Sequence, residues 1–91
     1  MIKVSEIERL GGYRLRFHFS DGSSGAFDFH DEVMHSGPMV EPLRDMNYFA
    51  RVFIDDGAPT WPNGFDMAPD WLRHEIEAAG ALERATAGAV E

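Results

Sequence analysis

A chain of 91 residues without cysteine cannot form disulfides, thiolate metal sites or cysteine nucleophiles, and it is long enough for one small hydrophobic core. Its 16 acidic and 8 basic side chains give a formal net charge of −8, which opposes binding to nucleic acid phosphates. This excess of acid favours either a well-solvated surface that resists aggregation or affinity for a basic protein partner.

The first ten residues, M-I-K-V-S-E-I-E-R-L, set apolar side chains among charged ones. This pattern predicts a strand with one buried face, which the Gly11-Gly12 pair ends. It is unlike a signal peptide, which has a basic start and a long apolar run, and no segment has the length of a membrane span. We therefore expect a cytoplasmic protein that does not bind membranes.

The second strand is the clearest in the sequence, because residues 13–19 alternate between apolar and polar side chains without a break. An Asp21-Gly22 turn then predicts a hairpin to a third, antiparallel strand over residues 25–29. The side chains predicted to face the core are Tyr13, Leu15, Phe17, Phe19, Phe27 and Phe29. Those predicted to face away from it are Arg14, Arg16, His18 and Asp28.

The apolar period changes after residue 30, and two short helical turns are predicted before residue 50. Residues 51–55 and 58–61 then predict a fourth and a fifth strand, joined by an Asp56-Gly57 turn. Pro59 restricts the fifth strand to an edge or an end of the sheet, because proline cannot donate a ladder hydrogen bond.

The last predicted element is a helix over residues 69 to about 84, in which Leu72, Ile76 and Ala79 follow the spacing of a buried stripe. A proline at its start is well tolerated. Gly80 weakens the second half of this helix. Residues 1–80 are therefore predicted to form a single α+β domain, and residues 81–91 a fraying tail that has little apolar surface to hold it down.

The stretch W-P-N-G-F-D-M-A-P-D-W-L, residues 61–72, can be interpreted first as a structural corner between strand and helix. Asn63-Gly64 suits a tight reversal after a buried Trp61, and Asp66 is placed to accept backbone N–H hydrogen bonds at the helix start. The residues that form the structural signature of this corner are Trp61, Pro62, Gly64, Pro69 and Leu72.

The alternative for the same corner is a binding role. Trp71 lies on a different helical face from Leu72, which makes it the better candidate for an exposed aromatic contact. The candidate partner-binding residues are Trp71, Asp66, Asn63 and Asp28.

The sequence contains no pattern that identifies a metal, a cofactor or a catalytic set. The F-D-F-H-D-E segment, residues 27–32, places acids where a helix start favours them, and it lacks the H-E-x-x-H spacing of a zinc site. The remaining histidines are scattered and are predicted to be surface residues: His18, His35 and His74. Without a nucleophile elbow or a Gly-rich phosphate loop, we do not expect an enzyme.

Five segments and Phe49 together resemble the small bacterial proteins of domain-of-unknown-function family 2442, over about residues 2–73. The segments are F-x-F-x-D-G at 17–22, F-D-F at 27–29, G-P-x-x-x-P-L-R-D at 37–45, V-F-I-D at 52–55 and the W-P-N-G stretch at 61–72. The resemblance implies an α+β fold with an antiparallel sheet and short helices, and no established molecular function. Some relatives carry an additional helix-turn-helix domain, and some are encoded beside another small protein in an arrangement suggestive of a toxin–antitoxin pair. We expect no such domain in these 91 residues, and direct DNA binding by them is therefore not expected.

These observations predict an α+β fold with a largely antiparallel five-stranded sheet, covered on one face by short helices and the C-terminal helix. The predicted function is a non-enzymatic protein-binding or regulatory module, the antitoxin-like half of a two-protein system whose partner is a small basic protein. The alternative is a small-ligand or metal-binding module centred on Asp28, His30 and Asp66.

Overall fold

The chain folds into two antiparallel β-sheets with short helices around them. The structure, a computed structural model, describes residues 1–35 and 37–84. The first sheet has the strand order β1-β2-β3 and the second pairs β4 with β5. The strands are β1 (Val4–Gly11), β2 (Arg14–Phe19), β3 (Ser24–Asp28), β4 (Phe53–Asp55) and β5 (Ala58–Thr60). The predicted α+β class with antiparallel pairing is confirmed.

The prediction of one five-stranded sheet is wrong, because the described strands divide into a sheet of three and a sheet of two. The two sheets are joined at the start of β1, where the backbone N–H of Val4 donates to the carbonyl of Gly57 at 2.7 Å. Strands β4 and β5 have only three residues each, and Pro59 in β5 has no N–H with which to extend a ladder. The second sheet therefore lies beside β1 without continuing its ladder.

Strands β2 and β3 form the predicted hairpin, with Leu15 opposite Phe27 and Phe17 opposite Gly25. Its turn is closed at Gly22, whose N–H donates to the carbonyl of Phe19 at 3.0 Å. The predicted core face is confirmed for the buried residues Tyr13, Leu15, Phe17, Phe19 and Phe29. Phe27 is only half-buried, since it lies at the margin of the core, where its ring meets that of Trp71 at a centroid distance of 6.0 Å.

Three short helical segments follow β3 where two were predicted. They are α1 (His30–His35), a 3₁₀ turn (Glu41–Arg44) and α2 (Met46–Phe49). Asp45 separates the last two, because its carboxylate accepts the N–H of Asn47 at 2.9 Å and so starts a new helix. The 3₁₀ turn is tied to α1 by Arg44, whose Nε donates to the carbonyl of Val33 at 2.6 Å.

The C-terminal helix α3 (Pro69–Ala78) is shorter than the predicted span to about residue 84. Gly80 adopts a φ of 75°, and the chain leaves the helix there through bonds from Gly80 N to Glu77 O and from Ala81 N to Ile76 O, both 3.0 Å. This is a Schellman ending, for which glycine is the favoured residue. Within the described part of the chain, no helix combines the length and the apolar content needed to span a membrane.

The segment after α3 lies against the edge of β3. Ser24 and Glu83 exchange two main-chain hydrogen bonds, each 2.7 Å long. Residues 81–84 of the predicted tail 81–91 therefore run beside the first sheet, and Leu82 packs partly against the core. The other tail residues, 85–91, for which fraying was also predicted, lie outside the described residues.

A second link between α3 and the first sheet is made by Asp21 in the β2–β3 turn. Its Oδ1 accepts from the Ser23 hydroxyl at 2.6 Å and from the Ser23 backbone N–H at 3.0 Å, while Arg73 Nε on α3 donates to its Oδ2 at 2.9 Å. These donors, the Ser23 hydroxyl foremost and with them the positive charge of Arg73, hold the pKa of Asp21 below its ordinary value. The turn and the helix are thereby held together.

Candidate functional site

The corner at residues 61–66 is built around a fully buried tryptophan. The indole Nε1 of Trp61 donates to the carbonyl of Phe49 at 2.9 Å, and its ring centroid lies 5.7 Å from that of Phe49 and 5.8 Å from that of Phe65. The backbone reverses at Gly64, which has a φ of 89° and donates to the carbonyl of Trp61 at 2.9 Å. Pro62 is exposed on the outside of this reversal.

Asn63, a candidate for partner binding, uses its side chain to hold the corner in place. Its Oδ1 accepts from the backbone N–H of Phe65 at 3.1 Å, and its Nδ2 donates to the carbonyl of Met39 at 2.9 Å. The first bond shapes the turn, and the second fastens the turn to the loop before the 3₁₀ segment. The structure therefore gives Asn63 an architectural role at the base of the corner.

The prediction that Asp66 caps the last helix is wrong. The N-cap of α3 is Ala68, and no side-chain hydrogen bond caps this helix, whose first turn begins with Pro69. Asp66 lies two residues earlier, paired through its backbone with Thr60, so its carboxylate is at the surface rather than at the helix end. The helix starts at Pro69 as predicted, but Asp66 lies three residues before it and its side chain does not bond to the first turn.

Residues from α1, from the loop before the 3₁₀ segment, from the segment 65–68 and from the first turn of α3 line an open groove of about 460 Å³, called here the α3 groove. Its lining residues are Glu32, Val40, Phe65, Asp66, Met67, Ala68 and Trp71. Five of these seven are apolar, two are acidic and none is basic. The groove brings the candidates Asp66 and Trp71 together on one surface.

Trp71 is the largest exposed aromatic side chain of the groove, with 41% of its surface accessible. Its ring packs against that of Phe27, and the centroid of the Phe27 ring lies 4.7 Å from that of the buried Phe29. Leu72, the next residue, is fully buried. The helix thus anchors one face in the core and presents its tryptophan on the other.

Asp28 and His30 lie away from the α3 groove, beside the Gly11-Gly12 turn in a separate pocket of about 290 Å³. The Oδ1 of Asp28 accepts the backbone N–H of His30 at 2.9 Å, and the His30 ring faces the carboxylate of Asp31. Among the described residues, the metal-compatible grouping of side chains does not include Asp28, His30 or Asp66. The structure therefore does not assemble the proposed three-residue site.

That grouping consists instead of Glu6, Glu8 and His18, whose ligand atoms all lie within 4.8 Å of one another. Sequence spacing gives no reason to connect His18 with the two glutamates, so the sequence alone predicts only that His18 is a surface residue. The signal that could have found the group is strand register, since His18 pairs with Glu6 across the β1–β2 hairpin.

A family model matches residues 4–78 of the chain, and its description is a protein of unknown function (DUF2442). Comparisons with curated proteins and with solved structures found no match. The family match covers both sheets, the α3 groove and the whole of α3. The chain therefore belongs to the DUF2442 family.

Proposed function

We propose that the chain is a non-enzymatic protein-binding module that holds a basic segment of a partner protein in the α3 groove. The observation that carries the proposal is an exposed tryptophan, Trp71, in an apolar groove that also contains the carboxylates of Glu32 and Asp66. Aromatic residues are enriched among the side chains that dominate binding energy at protein interfaces.

The charge of the groove supports a basic occupant. Glu32 and Asp66 are the ionisable side chains of the lining, and Asp70 adds a further carboxylate in the first turn of α3. A lysine or arginine of the partner can pair with these carboxylates while an apolar side chain next to it packs against Trp71. The net charge of −8 acts in the same direction at longer range and disfavours nucleic acid.

The chemistry of the lining supports binding rather than catalysis. The described lining residues offer two carboxylates and no hydroxyl, imidazole or amine, so they provide no nucleophile with an adjacent base. A small basic protein that docks here would make this chain the regulatory, antitoxin-like half of a two-protein system.

Selection of a random peptide library on the immobilised protein tests this proposal. We expect enriched peptides in which an aromatic or aliphatic residue lies next to lysine or arginine. An enriched peptide should bind Trp71→Ala about 30-fold more weakly, because a central tryptophan at an interface is commonly worth 2 kcal/mol or more. Asp66→Asn should weaken binding by a few fold, and the loss should shrink in high salt.

Glu41→Gln provides the matched control, because Glu41 is an exposed acid outside the groove. Its affinity for the peptide should equal that of the parent. Enrichment of acidic peptides, or equal binding by Trp71→Ala, would refute the proposal. Co-purification from the native cell with the parent and with Trp71→Ala then identifies the protein that carries the basic segment.

A further inference from the structure

The outer face of the first sheet carries three converging metal-ligand side chains, Glu6 and Glu8 on β1 and His18 on β2. The two glutamates are two positions apart on one strand, so they point to the same side of the sheet. His18 lies opposite Glu6 in the register of the hairpin. We propose that these three residues bind one divalent transition-metal ion of the Zn²⁺ class.

The distances within the group suit such an ion. Bonds of about 2.0–2.2 Å to a tetrahedral Zn²⁺ place its ligand atoms roughly 3.3 Å apart. The three ligand atoms here already lie within 4.8 Å of one another, and the Nε2 of His18 faces the Oε2 of Glu8 directly. Small rotations of surface side chains close the remaining gap. Solvent has access to the group, so water can complete the coordination.

The donor set selects the kind of metal. One imidazole nitrogen and two carboxylate oxygens suit zinc and its neighbours in the first transition row, whereas magnesium and calcium prefer oxygen ligands alone. Two carboxylates and a neutral imidazole carry a charge of about −2, which a dication neutralises.

The nearest cation in the strand register does not take the place of a metal. Arg16 pairs with Glu8 across the hairpin, but its guanidinium turns to Glu83 in the segment after α3, at 3.7 Å. Glu8 is thereby left to His18. The site shares no residue with the α3 groove, so its test is independent of the function proposed above.

Isothermal titration of the untagged protein with zinc chloride measures the binding. We expect one Zn²⁺ per chain, and binding at least about tenfold weaker in His18→Ala and Glu8→Gln, since loss of a residue that merely supports a ligand already costs 10–100-fold. His74→Ala, which removes an exposed histidine on α3, is the matched control and should bind like the parent. Magnesium chloride should bind far more weakly.

Nuclear magnetic resonance of the parent locates the ion without any substitution. Zinc should shift the imidazole proton signals of His18 at a lower concentration than the corresponding signals of the other histidines, His30, His35 and His74. Unchanged zinc affinity in His18→Ala, magnesium binding as tight as zinc binding, or earlier shifts at another histidine would each overturn the proposal. The variants change exposed or half-exposed side chains on an outer face, and far-ultraviolet circular dichroism checks that they fold.

Discussion

Replacing Trp61 by alanine removes the largest fully buried side chain of the protein. Deletions of this kind cost about 3–5 kcal/mol, and the carbonyl of Phe49 also loses the indole N–H that it accepts at 2.9 Å. The whole domain should have a free energy of unfolding of only about 5–14 kcal/mol at 0.05–0.15 kcal/mol per residue. Trp61→Phe keeps a ring beside Phe49 and Phe65, so it should cost less, about 1–3 kcal/mol, mainly from the orphaned carbonyl.

Urea denaturation followed by far-ultraviolet circular dichroism measures these losses, because that signal comes mainly from the backbone and remains usable when a tryptophan is removed. Trp71→Ala is the matched control: its side chain is 41% exposed and makes one aromatic contact, with Phe27, so its loss should cost about 1 kcal/mol. The expected order of stability is parent, Trp71→Ala, Trp61→Phe, Trp61→Ala, with the middle two close together. A Trp61→Ala midpoint equal to that of Trp71→Ala would refute the assignment of Trp61 as the central packing residue.

Two further predictions concern the β2–β3 hairpin. Because the hydrogen bonds of Ser23 lower the pKa of Asp21, its carboxylate stabilises the fold above the unfolded carboxyl pKa of about 3.9, and this contribution is lost as pH falls through the lower folded value. Asp21→Asn should therefore reduce the urea midpoint at pH 7 and reduce it less at pH 3; an equal reduction at both would contradict this. Gly25→Ala places a methyl group against Ile76 and should cost about 1–3 kcal/mol. Gly37→Ala, the control, adds its methyl group in open space and should not destabilise the protein. Equal urea midpoints for the two variants would contradict the close packing of Ile76 against Gly25.

The hairpins could be predicted from the sequence because their causes are local. Alternation over residues 13–19 sets one face toward the core, and the turns at Asp21-Gly22 and Asp56-Gly57 fall between the strands that they join. The division into two sheets could not be predicted, because it depends on how β1 meets the β4–β5 turn in space. The end of α3 could have been placed better, since Gly80 is the residue at which a helix commonly stops.

The candidate sites were harder to predict because their residues are distant in sequence. The α3 groove brings Glu32 and Val40 beside residues 65–71, a proximity that only the packing of α1 and the loop after it creates. The distance of Asp66 from the helix start at Pro69 suggested a capping role, yet no side chain caps that helix, and this depends on the backbone path between the two residues. His18 needed the strand register before it could be connected with Glu6.

The pairing of Glu83 with Ser24 affects how separate molecules meet. Strand β3 is an outer strand of its sheet, and an exposed strand edge can recruit a strand from another molecule. The segment after Gly80 occupies the Ser24 end of that edge, and Ile76 and Ala81 lie directly over Gly25. The end of α3 and the segment that follows it therefore cover part of this strand edge and oppose edge-to-edge pairing between molecules. Shortening the chain to residue 80 should promote self-association while the β2–β3 hairpin itself stays folded.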